Sequence, residues 1–193
     1  MWSEDMSLSD YLSQSTAVLE AAREAIDQDV VDRAIEAVCT ALGQGKAFLV
    51  CGNGGSAADA MHITGELIGR FLLERRPYRA ICLSSNTAVI TAWANDYSYE
   101  EVFARQVEAY GEPGGVLLGL STSGNAKNVV AAFEQARRMG MTVIAMTGEG
   151  GGAMGPLADF LLAAPSCDTP LIQQTHLCLY HYLCARIECR MMG

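Results

Sequence analysis

The residues best suited to chemistry are a histidine and a glutamate four positions apart. His62 and Glu66 occur in D-A-M-H-I-T-G-E-L, where small and apolar residues recur at helical spacing. Side chains four apart on a helix project from one face. A carboxylate beside an imidazole can bind a metal ion or act as an acid/base pair. The same spacing also fits a surface ion pair, worth roughly 0.3 kcal/mol, so the pair alone leaves these alternatives open.

A glycine-rich turn precedes this helix. The apolar run 48–51 predicts a strand, and Gly52, Gly54 and Gly55 permit backbone conformations closed to other residues. Ser56 is expected to cap the following helix. Free N–H groups at the positive end of a helix bind anions, most simply a phosphate. The spacing differs from that of a P-loop or a dinucleotide fingerprint, and a plain connecting turn is the alternative.

A second loop of this kind is the sequence S-T-S-G-N. It places Ser121, Thr122 and Ser123 between a predicted strand at 116–120 and a predicted helix. In an open α/β sheet, ligands bind at the carboxyl ends of the strands. Hydroxyls together with helix N–H groups would hold a small phosphorylated metabolite without lysine or arginine. The competing explanation is ordinary capping of the helix by these hydroxyls.

The remaining two histidines lie in the last predicted helix. His176 and His181 occur in L-I-Q-Q-T-H-L-C-L-Y-H, which also contains Gln173 and Gln174. Because its neighbours are apolar, His176 is interpreted as a hydrogen-bonded core or interface histidine. The spacing alone does not decide the role of His181.

The amino-acid composition argues against several classes of function. The chain has 193 residues, is 50% hydrophobic and carries a net charge of −9, which argues against direct binding of nucleic acid. The acidic N-terminus lacks a signal-peptide pattern, and no apolar run reaches the roughly 20 residues of a membrane span. Seven cysteines occur without a C-x-x-C pair. This usage is typical of a reducing cytosol, with most cysteines serving as small core residues.

Short apolar segments alternate with helical patterns along the chain. This alternation predicts an α/β fold with a parallel sheet of about five strands covered on both faces. We expect one domain over 1–193, with two N-terminal helices in about 7–45 and the α/β core in about 46–193. The predicted strands are 48–51, 80–83, 116–120, 142–146 and 160–163, and a long final helix is predicted over 170–191.

Several motifs together resemble one family. They are C-G-N-G-G-S-A-A-D-A-x-H-x-x-x-E-L, R-F-x-x-E-R, A-N-D-Y-S-Y, L-S-T-S-G-N and I-Q-x-x-H-x-x-x-x-H. In combination they are similar to the sugar isomerase (SIS) fold and, within it, to the bacterial phosphoheptose isomerases. The resemblance covers about residues 8–190 and implies a single SIS domain.

The resemblance implies an activity and a set of site residues. The reaction would convert sedoheptulose 7-phosphate to an aldose heptose 7-phosphate, an early step toward activated heptose for cell-surface glycans such as lipopolysaccharide. Glu66 and His181 would be the acid/base residues. Zinc would be bound by His62, Glu66, Gln173 and His181. The substrate would be bound by Asn53, Gly54, Gly55, Ser56, Glu66, Asn95, Asp96, Ser121, Thr122, Ser123 and Gln173. A cytoplasmic homotetramer is also implied.

Helix geometry makes a further prediction about assembly. Gln173 and His181 are eight positions apart, about 12 Å along a regular helix and roughly 80° apart around it. Reaching one metal ion from both would be strained. We therefore expect either sites shared between subunits, with Gln173 and His181 supplied by different chains, or a Gln173 outside the helix.

The chain departs from the family pattern at some positions. Ala126 replaces a usual serine of the second loop, and Asn86 replaces a usual aspartate. Pro170-Leu171 and Gln174 also differ from the common residues. None of these removes a proposed catalytic group. The alternatives are a sugar-phosphate sensor, an adaptor for the replication initiator, or an isomerase for another phosphosugar.

Overall fold

The computed structural model describes residues 6–192; the acidic residues 1–5 and residue 193 lie outside this range. Five parallel strands form one sheet in the order β2-β1-β3-β4-β5. This confirms the predicted α/β class, the parallel sheet and the strand count. The strands are β1 (Phe48–Gly52), β2 (Ala80–Cys82), β3 (Val116–Ser121), β4 (Thr142–Thr147) and β5 (Phe160–Ala163).

Helices cover both faces of the sheet. They are α1 (Leu8–Ala25), α2 (Gln28–Gly43), α3 (Gly55–Ile68), α4 (Thr87–Asp96), α5 (Val102–Tyr110), α6 (Lys127–Arg138) and α7 (Thr169–Met192), with short 3-10 turns at Tyr99–Glu101 and Gly152–Leu157. The central strands β1 and β3 are buried along their whole length. Alternate strand residues point into two apolar clusters, one beneath α2, α3 and α7 and one beneath α5 and α6. This explains why each strand is a continuous run of apolar residues in the sequence.

The two N-terminal helices differ in how they pack. Helix α2 buries seven residues of its apolar face against the domain. Helix α1 begins with a capping box formed by Ser7 and Asp10, yet Ala22 is its one buried residue in the described chain. Its apolar residues Leu8 and Leu12 are exposed. Helix α1 therefore contributes little to the core and leaves an apolar face uncovered.

Two predictions concern core residues. All seven cysteines are unpaired; Cys39, Cys51 and Cys184 are buried in the core and Cys82 packs against it, so four of the seven serve the core, while the other three are exposed. His176 is buried, as expected, and one ring nitrogen bonds the carbonyl of Thr147 at 3.0 Å. Its other nitrogen, Nδ1, has no hydrogen-bond partner among residues 6–192, so only one of the two ring nitrogens is hydrogen-bonded. Burial lowers the pKa of His176, which favours the neutral ring.

A buried carboxylate joins α7 to the segment that follows α3. Glu188 accepts hydrogen bonds from the three consecutive backbone N–H groups of residues 71–73, at 2.7 to 3.0 Å. Its other partner is the guanidinium of Arg75 at 3.0 Å, and both side chains are almost fully buried. Burial by itself raises the pKa of Glu188, but the three N–H donors and Arg75 outweigh it and hold the pKa below its ordinary value.

Arg75 extends this connection to the end of α3. Its guanidinium donates to the backbone carbonyls of Glu66 at 2.7 Å, Leu67 at 2.9 Å and Gly69 at 2.9 Å. It also lies 4.2 Å from the centre of the Tyr78 ring, a cation–π contact. The guanidinium therefore satisfies carbonyls that the helix end leaves without partners.

No helix in the described part of the chain is long and apolar enough to cross a membrane.

We expect Glu188→Gln to destabilise the protein strongly, because it leaves the Arg75 charge buried without a counter-charge. Breaking one partner of a buried ion pair typically costs about 3–5 kcal/mol of unfolding free energy. Urea denaturation measures this loss. Glu108→Gln is the matched control, since Glu108 pairs with Arg105 at an exposed position and should contribute little. Equal, small losses in both variants would contradict the structural role of Glu188.

The same carboxylate makes stability depend on pH. Because its pKa is lower in the folded than in the unfolded chain, Glu188 stabilises the fold above the ordinary glutamate pKa. This contribution decreases as the pH falls through the folded pKa. Glu188→Gln should therefore show a shallower loss of stability on acidification than the wild type.

Candidate functional site

The glycine-rich turn at 52–55, called the first anion loop below, connects β1 to α3. Its structure corrects the prediction that Ser56 caps α3. Gly54, at φ 56°, occupies the N-cap position, and α3 begins at Gly55 without a side-chain cap. Ser56 therefore does not cap the helix; it lies buried in the first turn. The positive φ of Gly54 lets the chain enter the helix earlier than the serine signal indicated. A Cβ on Gly52 would lie 2.6 Å from the Ser56 carbonyl oxygen, so this tight turn requires glycine there.

Asn53 is held in place by two residues that sequence reasoning missed. Its amide nitrogen donates to Oδ1 of Asn128 at 2.8 Å, and the amide nitrogen of Asn128 donates back at 2.9 Å. The hydroxyl of Tyr99 donates to the same Asn53 oxygen at 2.9 Å. Asn128 is buried in the first turn of α6. An asparagine three positions after the second loop, in the predicted helix, was the available signal for it, but its partner could be identified only in the folded chain.

The second loop follows β3, the neighbour of β1 in the sheet. Helix α6 starts after Ala126 without a side-chain cap, so the hydroxyls of Ser121, Thr122 and Ser123 do not cap it. The Ser123 hydroxyl instead accepts from the N–H of Asn125 at 3.1 Å and lies 3.5 Å from the Ser121 hydroxyl. The capping explanation is therefore wrong. The two loops end adjacent parallel strands and lie at the same edge of the sheet.

His62, Glu66 and His181 come together within this single chain. One ligand atom from each lies within 4.8 Å of those of the other two. Nε2 of His62 is 3.0 Å from Oε1 of Glu66, as their helical spacing predicts. The His181 ring packs edge-on to His62, with the ring centres 5.0 Å apart, and stacks on Phe71 at 5.6 Å. The structure thus brings α7 against the predicted face of α3.

Gln173 lies elsewhere in the chain. It belongs to the regular helix α7, so the alternative that placed it outside the helix is wrong. Its side-chain amide packs against Gly55: a Cβ added to that glycine would lie 2.5 Å from Nε2 of Gln173. Gln173 therefore faces the first anion loop, while His181 lies about 12 Å further along the helix axis. Close by, Thr169 at the start of α7 lies 3.4 Å from the Thr122 hydroxyl.

The remaining sequence candidates lie at the end of α4. The amide of Asn95 donates to the carboxylate of Asp96 at 2.8 Å, and both residues are exposed. Within residues 6–192 no hydrogen bond joins either of them to the two loops. Asn86 caps α4 by accepting from the N–H of Val89 at 3.2 Å, so the departure from aspartate at this position keeps a capping side chain.

The arrangement combines two chemical capabilities. Glycine and hydroxyl loops at the positive ends of α3 and α6 suit an anionic group. The His62, Glu66 and His181 cluster supplies two imidazoles and a carboxylate, which can bind a divalent cation or transfer protons. Helix α7 contacts the first loop through Gln173 and carries His181 into the cluster. One molecule with an anionic end and a reactive end could therefore engage both parts.

Comparison with known proteins gives consistent matches. A family model described as SIS domain matches residues 10–148. Phosphoheptose isomerase from Helicobacter pylori (strain P12) is 49% identical over 188 residues, covering 96% of this chain and 95% of that protein. Its counterpart from a Bradyrhizobium species is 45% identical over 189 residues, covering 98% and 96%. The solved phosphoheptose isomerase from Neisseria gonorrhoeae matches with a TM-score of 0.89 at 36% identity, covering 94% and 97% of the two chains.

Proposed function

The chain belongs to the phosphoheptose isomerases of the SIS-domain family, and we propose that it converts sedoheptulose 7-phosphate to D-glycero-D-manno-heptose 7-phosphate. The observation that carries the proposal is the cluster of His62, Glu66 and His181 within 4.8 Å of one another. A protein that only senses a sugar phosphate, or an adaptor, has no use for an acid/base pair beside two anion loops. The reaction belongs to activated-heptose synthesis, and we place the protein in the cytoplasm.

The phosphate of the substrate would be bound by the two loops. Hydroxyls of residues 121–123 and N–H groups of Gly54 and Gly55 present donors to it without a cationic side chain. The Asn53 side chain, fixed by Asn128 and Tyr99, is a further candidate for a sugar hydroxyl. We also assign substrate contacts to Ser56, Asn95, Asp96 and Gln173.

The reaction moves a hydrogen between two neighbouring carbon atoms of the sugar. Glu66 takes a proton from C1 of the ketose while His181 donates a proton to the C2 carbonyl oxygen, which produces the enediol. Glu66 then returns its proton to C2, and His181 recovers a proton from the C1 hydroxyl as the C1 carbonyl forms. All atoms stay in the sugar or return to the same side chains. Each positioned proton transfer typically contributes about 10²–10⁴-fold in rate.

We further propose a zinc ion at this cluster. Two histidine nitrogens and one carboxylate oxygen are a donor set found in catalytic zinc sites. When bound, zinc would stabilise negative charge on the sugar oxygens. His62, Glu66 and His181 would be the ligands that this chain supplies. Because Glu66 and His181 are assigned both to zinc binding and to proton transfer, the two roles would alternate during turnover.

Gln173 is the fourth ligand implied by the family, and we propose that it reaches the metal site of another subunit. Gln173 of the same protomer packs on Gly55, and the regular helix α7 separates it from His181. Sites shared between chains require an oligomer, and we propose that this oligomer is a homotetramer. The uncovered apolar face of α1 is consistent with such an assembly.

The first test replaces the proton-transfer residues. We expect Glu66→Gln and His181→Ala to lower the rate of aldose formation from sedoheptulose 7-phosphate by about 10²–10⁴-fold. Binding of the sugar phosphate, measured by calorimetry, should remain, because the anion loops are unchanged. Glu134→Gln, at an exposed position on α6, is the control and should keep full activity. A wild type that binds the sugar phosphate without turnover would support a sensor instead.

A second test removes the metal. Treatment of the purified protein with a chelator should abolish turnover, and added Zn²⁺ should restore it, because sugar oxygens then regain their stabilising cation. Elemental analysis gives the metal content before and after treatment. Full activity of protein that contains no measurable zinc would refute the metal proposal while leaving the isomerase assignment intact.

A third test addresses the shared site. Gln173→Ala and Glu66→Gln chains are each expected to be nearly inactive, but hybrids refolded from both should regain part of the activity. In a hybrid, an intact Glu66 of one chain can meet an intact Gln173 of another. If Gln173 acts within its own protomer, every site carries one substitution and mixing restores nothing. Full activity of a monomer would also refute sharing.

A further inference from the structure

A buried tyrosine lies directly behind the metal-binding face of His62. Tyr180 is about 1% exposed, and its ring packs edge-on against both site histidines, with ring centres 5.3 Å from His62 and 4.9 Å from His181. Its hydroxyl is 3.0 Å from Nδ1 of His62, the ring nitrogen on the far side from Glu66. The same hydroxyl lies 3.4 Å from Oδ1 of Asp59.

With Asp59 ionised, the chemistry of these three groups sets the direction of their hydrogen bonds; burial raises the pKa of this carboxyl, and the Tyr180 hydroxyl opposes that rise. An ionised carboxylate only accepts hydrogen bonds, and a tyrosine hydroxyl has a single proton to donate. The hydroxyl of Tyr180 therefore donates to Asp59, and its oxygen accepts a hydrogen bond from His62. This requires a proton on Nδ1 of His62. The other oxygen of Asp59 is buried and has no hydrogen-bond partner in the described chain, so Tyr180 is the only hydroxyl that Asp59 engages there.

A neutral imidazole with its proton on Nδ1 carries a lone pair on Nε2. In that form Nε2 of His62 presents the lone pair to Oε1 of Glu66, 3.0 Å away, as joint binding of a cation requires. Two facing lone pairs repel each other unless a cation is bound between their atoms. A ring held in this tautomer thus favours binding of a divalent cation by His62 and Glu66. Partners that hold a histidine ring in this way are typical of metal sites.

We propose that Tyr180, together with Asp59, is a positioning residue that holds His62 in the Nδ1–H tautomer and thereby prepares Nε2 for the metal ion. The inference rests on the metal site of the proposed function. It adds two residues that the sequence analysis did not select. Neither is a metal ligand or an acid/base group; both act through His62.

Zinc affinity provides the first test. Tyr180→Phe keeps the buried ring and removes only the hydroxyl, and we expect it to weaken Zn²⁺ binding about 10–100-fold, measured by competition with a chelating dye. Tyr182→Phe is the matched control. It is the same change two positions along the same helix, where the half-exposed hydroxyl bonds Gln28 at 3.2 Å and does not contact His62. Its Zn²⁺ affinity should equal that of the wild type.

Nitrogen NMR tests the tautomer itself. The chain has three histidines, so ¹⁵N-histidine spectra of the full-length, chelator-treated protein are simple to assign. His62 should show a larger fraction of the Nδ1–H form in the wild type and in Tyr182→Phe than in Tyr180→Phe, which lacks the hydroxyl oxygen that accepts from Nδ1. A purely structural role of Tyr180 would not change the tautomer. Circular dichroism confirms that each variant is folded.

Asp59→Asn tests whether Asp59 acts through the Tyr180 hydroxyl or directly through its own negative charge. We expect it to weaken Zn²⁺ binding in the wild-type background and to have little further effect in Tyr180→Phe, because the hydroxyl transmits its influence. Equal zinc affinities of the wild type and Tyr180→Phe, or an unchanged tautomer, would overturn the role of Tyr180. Failure of the wild type to bind Zn²⁺ would instead overturn the metal site on which the role depends.

Discussion

The buried carboxylate of Glu188 is the constraint on which the site geometry depends. It binds three consecutive N–H groups of residues 71–73 and the guanidinium of Arg75. Arg75 in turn binds the carbonyl of Glu66. A buried charge is tolerated only when its partners are complete. The segment after α3 must therefore keep one conformation against α7, and this conformation stacks Phe71 on His181.

Helix α7 relates the anion loops to the reactive cluster. Its first turns contact both loops, through Gln173 on Gly55 and Thr169 on Thr122. Two turns further on, its residues meet α3 at His62. Because a helix is stiff over this length, the distance between the proposed anion-binding end and the proposed proton-transfer end is set by the backbone rather than by flexible side chains. This arrangement suits a substrate whose phosphate and carbonyl lie at opposite ends.

Side chains outside the reacting set hold the site residues in position. Asn128 and Tyr99 orient Asn53 at the first loop, and Tyr180 and Asp59 orient His62 at the cluster. In both places a buried polar group must find a hydrogen-bond partner, since an unpaired one is costly. The partners therefore restrict each functional side chain to one orientation. Preorganised groups of this kind need little rearrangement during a reaction.

Local patterns in the sequence were sufficient for the α/β class, the parallel sheet and nearly all element bounds, because a strand buried on both faces is a continuous apolar run and a helix has its own period. They also showed that His62 and Glu66 share a face, since that depends on one helix alone. Tertiary structure decided the rest. Contacts between segments far apart in the chain bring His181 to this pair, place Gln173 at Gly55, and supply the partners Asn128, Tyr180 and Glu188. No local pattern encodes which distant segments pack together, because that is determined by burial and hydrogen-bond satisfaction in the whole fold.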